Sequence, residues 1–221
     1  MNRVVPRERL YERYRPQYLR QIIGQDKAVG LLTNALRAGL LSGEALWLDG
    51  ETGVGKTTAG LCLARMLGCG PWSVEVIEGS RCTAPLVHEL GENMGLLPLD
   101  SQEGWRVYIV NNADSMTQGA AEAFLDLLEV LPARRLFVFT SRRAVDGLFP
   151  ELGNQLRGRC MRVHFTNQGL ADKFARLLYH IAQREGLNGK PFEDYRRLLK
   201  DCNNSPREGL QRIQLGEMKG A

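Results

Sequence analysis

The chain has 221 residues, a formal net charge of +4, and 43% hydrophobic and 24% charged residues, which is ordinary for a soluble globular protein. No apolar run approaches the ~20 residues that span a bilayer, and the mild positive charge permits contact with nucleic acid without requiring it. The five cysteines are scattered without a C-x-x-C pair, which supports neither a zinc module nor a disulfide framework. We therefore expect a cytoplasmic protein with no membrane partner.

Up to about residue 166, short apolar runs alternate with segments of helical periodicity. The predicted strands lie at 45–48, 74–78, 106–110, 136–140 and 160–165. The predicted helices of this part lie at 26–41, 58–67, 85–94 and 118–130. Alternation of this kind predicts an α/β fold with a parallel five-stranded sheet and helices on both faces.

Beyond residue 166 only helical patterns remain, at 171–184, 191–202 and from 206 onward. The change of pattern predicts two domains, an α/β domain over 1–166 and a small C-terminal helical lid domain over 167–221. A segment of about 55 residues is too short for a stable core of its own, so we expect the lid to pack on the larger domain.

The connection between the first strand and the following helix is a complete G-x-x-x-x-G-K-T phosphate-binding loop at residues 50–57. Its glycines let successive backbone N–H groups point at phosphate oxygens, Lys56 reaches the β- and γ-phosphates, and the Thr57 hydroxyl can ligate Mg²⁺. The helix N-terminus adds its dipole to anion binding. We predict that a nucleoside triphosphate is bound by Gly50, Glu51, Thr52, Gly53, Val54, Gly55, Lys56, Thr57 and Thr58.

Four further segments accompany this loop in a consistent order. They are Tyr14-Arg15-Pro16 with Ile22-Ile23-Gly24-Gln25, residues 121–129 followed by Pro132, Gly158-Arg159-Cys160, and residues 204–210. Over about residues 10–215 this ordered set resembles AAA+ ATPases of the clamp-loader type, that is, replication factor C and the bacterial gamma and delta-prime subunits. The family's collar domain has no counterpart in these residues, so assembly through a collar is not predicted.

The resemblance implies that ATP and Mg²⁺ are the cofactors and that ATP binds between the α/β domain and the lid. In the family, the segment that contains Tyr14, Arg15, Pro16 and Ile23 wraps the adenine and ribose. The implied partners are other AAA+ subunits, with DNA and a sliding clamp beyond them.

Two arginines receive roles from the same resemblance. Arg159 is expected to act as a trans-acting arginine finger in a neighbour's ATP site, although Gly158 stands where the family has serine. Arg207 is expected to be the sensor-2 arginine. The sensor-1 position falls at Ser141 or Arg142, and the sequence leaves both open.

The third strand departs from the family pattern, because Asn111 and Asn112 follow it where an Asp-Glu pair is expected. Asn111 occupies the position that holds Mg²⁺ through water, and Asn112 is a degenerate general-base position. An amide carries no charge to offset Mg²⁺ and is not a useful base near neutral pH. We therefore predict ATP binding with slow or absent hydrolysis. In the alternative interpretation another carboxylate serves, and Asp114 could reach the site only by unusual geometry.

The main hypothesis is a clamp-loader-like AAA+ protein of DNA replication or repair that binds ATP and donates Arg159 to a neighbour. One alternative is an active DNA-dependent ATPase, and another is a nucleotide-gated interaction module without a DNA role. Binding to the DNA backbone would use a basic stretch over residues 134–162. Its arginines are Arg134, Arg135, Arg142, Arg143, Arg157, Arg159 and Arg162.

Overall fold

The computed structural model describes residues 8–147 and 152–220, which form two compact units. The core unit comprises residues 17–51 and 55–166. The C-terminal unit comprises residues 8–16, Thr52–Val54 and 167–220. The predicted domain division at 166 stays a prediction, but the segment before residue 17 is grouped with the C-terminal helices rather than with the α/β core.

The core unit contains a five-stranded sheet in which all pairings are parallel, in the order β2-β3-β4-β1-β5. This confirms the predicted fold class. The strands are β1 Glu44–Gly50, β2 Val74–Glu78, β3 Arg106–Asn111, β4 Arg135–Ser141 and β5 Met161–Phe165.

Nine α-helices lie within the described residues, and none of them is long and apolar enough to cross a membrane. In chain order they are α1 Leu10–Arg13, α2 Asp26–Arg37, α3 Lys56–Met66, α4 Ala84–Asn93, α5 Gln118–Glu129, α6 Gly153–Gly158, α7 Ala171–Arg184, α8 Phe192–Asp201 and α9 Pro206–Gln214.

The central strands are buried on both faces, because helices cover the sheet on each side. On one face, side chains such as Trp47 and Tyr108 join the hydrophobic core that α4 and α5 complete. On the other face α3 approaches closely, since a Cβ at Gly60 would lie 3.2 Å from side-chain atoms of Ile109 and Val138. The alternation of side chains along each strand therefore produces two apolar layers.

Aromatic contacts join three elements of the first layer. Tyr108 of β3 stacks on Phe137 of β4 with ring centroids 4.7 Å apart. Phe124 of α5 meets the edges of Phe137 and Phe139, with centroids at 5.7 and 5.0 Å. Such edge-to-face pairs contribute beyond the apolar area that they bury, so this cluster fixes α5 on the central strands.

The C-terminal unit packs α7, α8 and α9 around Tyr195, which is fully buried and meets Tyr179 edge-to-face at 5.2 Å. Ser205 caps α9 by accepting a hydrogen bond from the Glu208 backbone N–H. The short helix α1 joins this unit because the Leu10 backbone N–H donates to Gln214 Oε1 at 2.9 Å.

The helices differ from the predictions at three places, one of which is the four-residue helix α1, which was not predicted. The helix predicted over 26–41 ends at Arg37, because a turn with hydrogen bonds from Gly39 and Leu40 back to Leu36 and Ala35 closes it. Helix α6 was not predicted, since its six residues Gly153–Gly158 are too few to show helical periodicity.

Candidate nucleotide-binding site

The predicted phosphate-binding loop connects the end of β1 to the N-terminus of α3, and its conformation depends on its glycines. Gly50 has φ of 136°, and a Cβ there would collide with the Phe165 carbonyl oxygen on β5. Gly55, with φ of 104°, is the N-cap residue of α3 and packs on Ile22. Other residue types would strain both positions, so the loop requires the glycines that its sequence supplies.

Lys56 is the first residue of α3, and its ammonium group turns back over the loop. Its Nζ donates to the carbonyl oxygens of Gly50 at 2.7 Å and Glu51 at 2.6 Å. Burial lowers the pKa of Lys56 to about 8, and the carboxylates of Glu51, Asp114 and Asp49 oppose this shift. The ammonium group of Lys56 therefore lies among carbonyl oxygens, and an anionic phosphate beside it would further stabilise its charged form.

The two predicted metal residues lie together at the carboxyl edge of the sheet. The Thr57 hydroxyl donates to Asn111 Oδ1 at 2.8 Å, and the Thr140 hydroxyl donates to the same oxygen at 3.3 Å. Within the described residues, no group of three or more His, Cys, Asp or Glu side chains could hold a metal ion. The oxygens of Thr57 and Asn111 are neutral, so they do not form a metal cage made of protein ligands alone. They suit an ion such as Mg²⁺, which binds together with phosphate ligands and keeps several waters.

Asp114 follows the third strand in a tight turn and acts electrostatically on Lys56. Asn112 adopts the left-handed conformation with φ of 51°, and a single 3₁₀ turn over Ala113–Ser115 follows. The Asp114 side chain is 7% exposed, and its Oδ1 has no hydrogen-bond partner among the described residues. A role for Asp114 as the substitute carboxylate stays a prediction.

Glu78 is the residue that the sequence analysis missed. It is the last residue of β2 and stands opposite Asn111 in the parallel register of β2 and β3. Its Oε1 accepts from Asn111 Nδ2 at 3.4 Å, and its Oε2 accepts from Asn112 Nδ2 at 3.2 Å. The end of a predicted strand at Glu78 was a partial signal, because parallel strands that end together place their last side chains at one edge. The pairing of β2 with β3, which completes this signal, is known only from the structure.

Relatives of this chain are bacterial and eukaryotic replication proteins. It is 26% identical over 228 residues to DNA polymerase III subunit gamma/tau of Mycobacterium tuberculosis, covering 91% of this chain and 37% of the relative. It is 26% identical over 159 residues to the probable replication factor C subunit 2 of Dictyostelium discoideum, covering 70% and 45%. It is 25% identical to DNA polymerase III subunit gamma of Buchnera aphidicola, covering 93% and 60%.

The resemblance to clamp-loader-type AAA+ ATPases is confirmed. No family model matches the chain. The chain spans little more than a third of the length of the mycobacterial relatives, 37%.

Solved structures agree with this assignment at the level of the fold. The Thermotoga maritima RuvB Holliday junction branch migration motor superposes with a TM-score of 0.69 at 17% identity, over 91% of this chain and 64% of that one. A gamma subunit-related protein from the same organism superposes with a TM-score of 0.53 at 19% identity, over 81% and 69%. The chain therefore shares the AAA+ fold with these structures. Sequence identities of 17% and 19% are too low to support an inference about function.

Arg159, the arginine-finger candidate of the clamp-loader-type pattern, follows α6 and is engaged within its own chain. Its guanidinium forms an ion pair with Glu129 at the end of α5 and also donates to the Gln155 carbonyl oxygen at 3.4 Å. The Arg159 and Glu129 side chains are 28% and 55% exposed. A role in a neighbouring site would require Arg159 to leave Glu129.

The sensor-2 candidate lies in the C-terminal unit. The guanidinium of Arg207, in the first turn of α9, lies over the ring of Tyr11 at 5.7 Å. The two sensor-1 candidates differ in setting. Ser141 ends β4 and is buried, whereas Arg142 is exposed and lies 3.4 Å from the Asp114 carboxylate.

The residues predicted to wrap the adenine are divided between the two units. Tyr14, Arg15 and Pro16 belong to the C-terminal unit, and Ile23 belongs to the core unit. The Tyr14 hydroxyl donates to Glu185 at 2.8 Å. In the loop itself Val54 is buried, while Thr52 is exposed. Contact of these residues with a nucleotide stays a prediction.

The basic stretch over 134–162 is not a uniform surface for DNA. Arg135 is 3% exposed and donates to the carbonyl oxygens of Met94, Leu96 and Gly104, so it is a structural residue. Four others contact acidic side chains or a carbonyl oxygen. They are Arg134, Arg142, Arg159 and Arg162. Residues 148–151 of the stretch lie outside the described residues.

Proposed function

We propose that this chain is an ATP-binding AAA+ subunit of a clamp-loader-like assembly in DNA replication or repair, which hydrolyses ATP slowly or not at all. The supporting observation is the pairing of Thr57 with Asn111 beside an intact phosphate-binding loop. The loop keeps its lysine and hydroxyl, while the neighbouring position offers an amide oxygen instead of a carboxylate. Binding groups are retained, and the charge that supports cleavage of the γ-phosphate is reduced.

ATP would be held by residues 50–58, with Lys56 on the β- and γ-phosphates and Thr57 beside the metal. Mg²⁺ would arrive with the nucleotide and supply positive charge at the phosphates when bound. Asn112, at the position of the general base, can orient a water by hydrogen bonding but cannot take its proton near neutral pH.

The proposed partners are other AAA+ subunits, because the relatives are named as subunits of DNA polymerase III and of replication factor C. Arg159 would then exchange Glu129 for a neighbour's phosphate. Arg207 would serve as the second sensor. DNA and a sliding clamp are proposed as further partners, and the cytoplasm as the location.

A second candidate, an active DNA-dependent ATPase, is favoured by one observation. The Asp114 carboxylate is buried, and it acts electrostatically on Lys56. A buried carboxylate with an unbonded oxygen can serve as a base when a water reaches it.

Nucleotide binding and turnover measured in parallel separate the two candidates. The wild-type chain should bind ATP with Mg²⁺, and Lys56→Ala should weaken binding at least tenfold because it removes the phosphate-binding charge. Turnover should remain at background with or without primed DNA. Robust turnover that Lys56→Ala abolishes would select the active ATPase, and an absence of ATP binding would overturn both.

A further inference from the structure

Glu78 has no place in the phosphate-binding motif, yet its carboxylate lies beside the two residues that make this site unusual. Both of its oxygens accept hydrogen bonds from the side chains of Asn111 and Asn112, at 3.4 and 3.2 Å. The Asn111 oxygen accepts in turn from the Thr57 hydroxyl at 2.8 Å. An unbroken chain of hydrogen bonds therefore joins Glu78 to the residue that would ligate the metal.

We propose that Glu78 is the anionic residue of this nucleotide site, held by Asn111 and Asn112 to offset the charge of nucleotide-borne Mg²⁺. The inference rests on the proposed function, because it assumes that ATP binds at the loop. It assigns the negative charge to β2, the strand next to the one on which the Asp-Glu pair is expected.

The amides are suited to this arrangement in a way that acids are not. An asparagine at 111 accepts from Thr57 through its oxygen and donates to Glu78 through its nitrogen. An ionised aspartate or glutamate only accepts, so it would face Glu78 with a second negative charge. Glu78 and the two asparagines thus form a mutually consistent set, and restoring one acid alone would create repulsion.

A carboxylate in this position can act on Mg²⁺ without contacting it. Mg²⁺ usually keeps several waters and dehydrates reluctantly, so an anion beyond its direct ligands can accept hydrogen bonds from those waters. Glu78 is exposed, which leaves its carboxylate accessible to water. In the proposed role Glu78 accepts hydrogen bonds from those waters, and no covalent bond forms or breaks.

Asp114 is the competing carboxylate, and its surroundings distinguish it from Glu78. Asp114 Oδ2 lies 3.4 Å from the guanidinium of Arg142, so its charge is already opposed by a cation. The side-chain hydrogen bonds of Glu78 within the described residues come from neutral amides. Unlike Asp114, Glu78 is therefore hydrogen-bonded to groups that do not neutralise its charge.

The test compares the affinity for ATP with Mg²⁺ and with EDTA, measured by calorimetry on the full chain. We expect that Glu78→Gln lowers the Mg²⁺-dependent gain in affinity about tenfold, the lower end of the usual effect of such outer residues. The affinity in EDTA should not fall. Glu75→Gln is the matched control, because it removes the same charge from the same strand, beside Arg106 at the opposite end.

A double substitution supplies the converse experiment. Glu78→Asn combined with Asn112→Glu returns the carboxylate to β3 and keeps an amide beside it, so we expect it to restore most of the gain. Melting curves of all variants show that they are folded.

Three outcomes would overturn the inference. An unchanged Mg²⁺ gain in Glu78→Gln would do so while leaving ATP binding intact. Loss of the gain in Asp114→Asn with its retention in Glu78→Gln would assign the charge to Asp114 instead. If the wild-type chain binds no ATP under either condition, the proposed function fails first and this inference fails with it.

Discussion

Lys56 keeps its charge close to the loop backbone through hydrogen bonds to two carbonyl oxygens. Burial lowers its pKa to about 8, so the free protein loses this charge within an accessible pH range. Phosphate oxygens favour the charged form, so ATP bound as proposed would raise the pKa of Lys56 above that of the free protein. Between the two values the complex holds one proton more than the free chain.

ATP affinity should therefore fall as the pH rises through about 8. The dissociation constant should increase by up to about tenfold per pH unit until the pKa of the complex is reached. Calorimetry in two buffers with different ionisation enthalpies measures the proton uptake directly. Equal affinities on both sides of this pH, with no proton uptake, would contradict the assignment of Lys56 to the phosphates.

Arg159 is paired with Glu129 across a partly exposed surface, and such pairs contribute little to stability. A double-mutant cycle with Arg159→Ala and Glu129→Ala, followed by urea unfolding, should give a coupling energy of about 0.2–1 kcal/mol. A weak pair leaves Arg159 able to exchange its partner for a phosphate. A coupling energy of several kcal/mol would instead make Arg159 a structural residue.

Several site residues could be predicted from the sequence because a contiguous motif places them. The motif places Thr57 at the start of the helix, and the clamp-loader-type pattern places Asn111 at the end of the third strand, where the structure joins them by a hydrogen bond. Glu78 and Asp114 could not be placed in this way. The position of Glu78 depends on which strand pairs with β3, and that of Asp114 depends on the left-handed conformation of Asn112.

At the level of elements, periodicity was sufficient for the five strands and for the longer helices. It failed for α1 and α6, because four and six residues cannot display a helical period. Arg135 shows a second limit. This residue was assigned to the basic stretch for DNA, yet four carbonyl oxygens satisfy its guanidinium and let it be buried.

The contact between α7 and α9 depends on a small residue. A Cβ on Gly209 of α9 would lie 2.6 Å from Cδ1 of Leu178, which is fully buried on α7. Gly209→Ala should therefore destabilise the chain by about 1–3 kcal/mol through overpacking. Chemical unfolding measures the change.

Gly158→Ala is the matched control, because nothing lies within 4 Å of a Cβ at this position near the end of α6. It should leave stability unchanged or raise it by up to about 1 kcal/mol, since alanine restricts the unfolded chain. Equal effects of the two substitutions would show that α7 and α9 are not closely packed at Gly209.

At the scale of the whole molecule, the N-terminal segment illustrates what local patterns cannot reveal. Leu10 is buried, and its backbone N–H bonds to Gln214 Oε1, a residue 204 positions away. No sequence periodicity links the segments that contain Leu10 and Gln214. The predicted domain boundary at 166 therefore assigned them to different domains.

A single-turnover experiment tests the proposal that the chain binds ATP and hydrolyses it slowly or not at all. The chain, in excess over γ-labelled ATP with Mg²⁺, is quenched at intervals, and the released phosphate is counted. The amount of labelled phosphate in the quenched samples does not depend on how fast the products leave the protein. We expect the bound nucleotide to remain ATP for many minutes, with or without primed DNA. Conversion to ADP at about 1 per second or faster, the range of ordinary enzymes, would contradict the proposal.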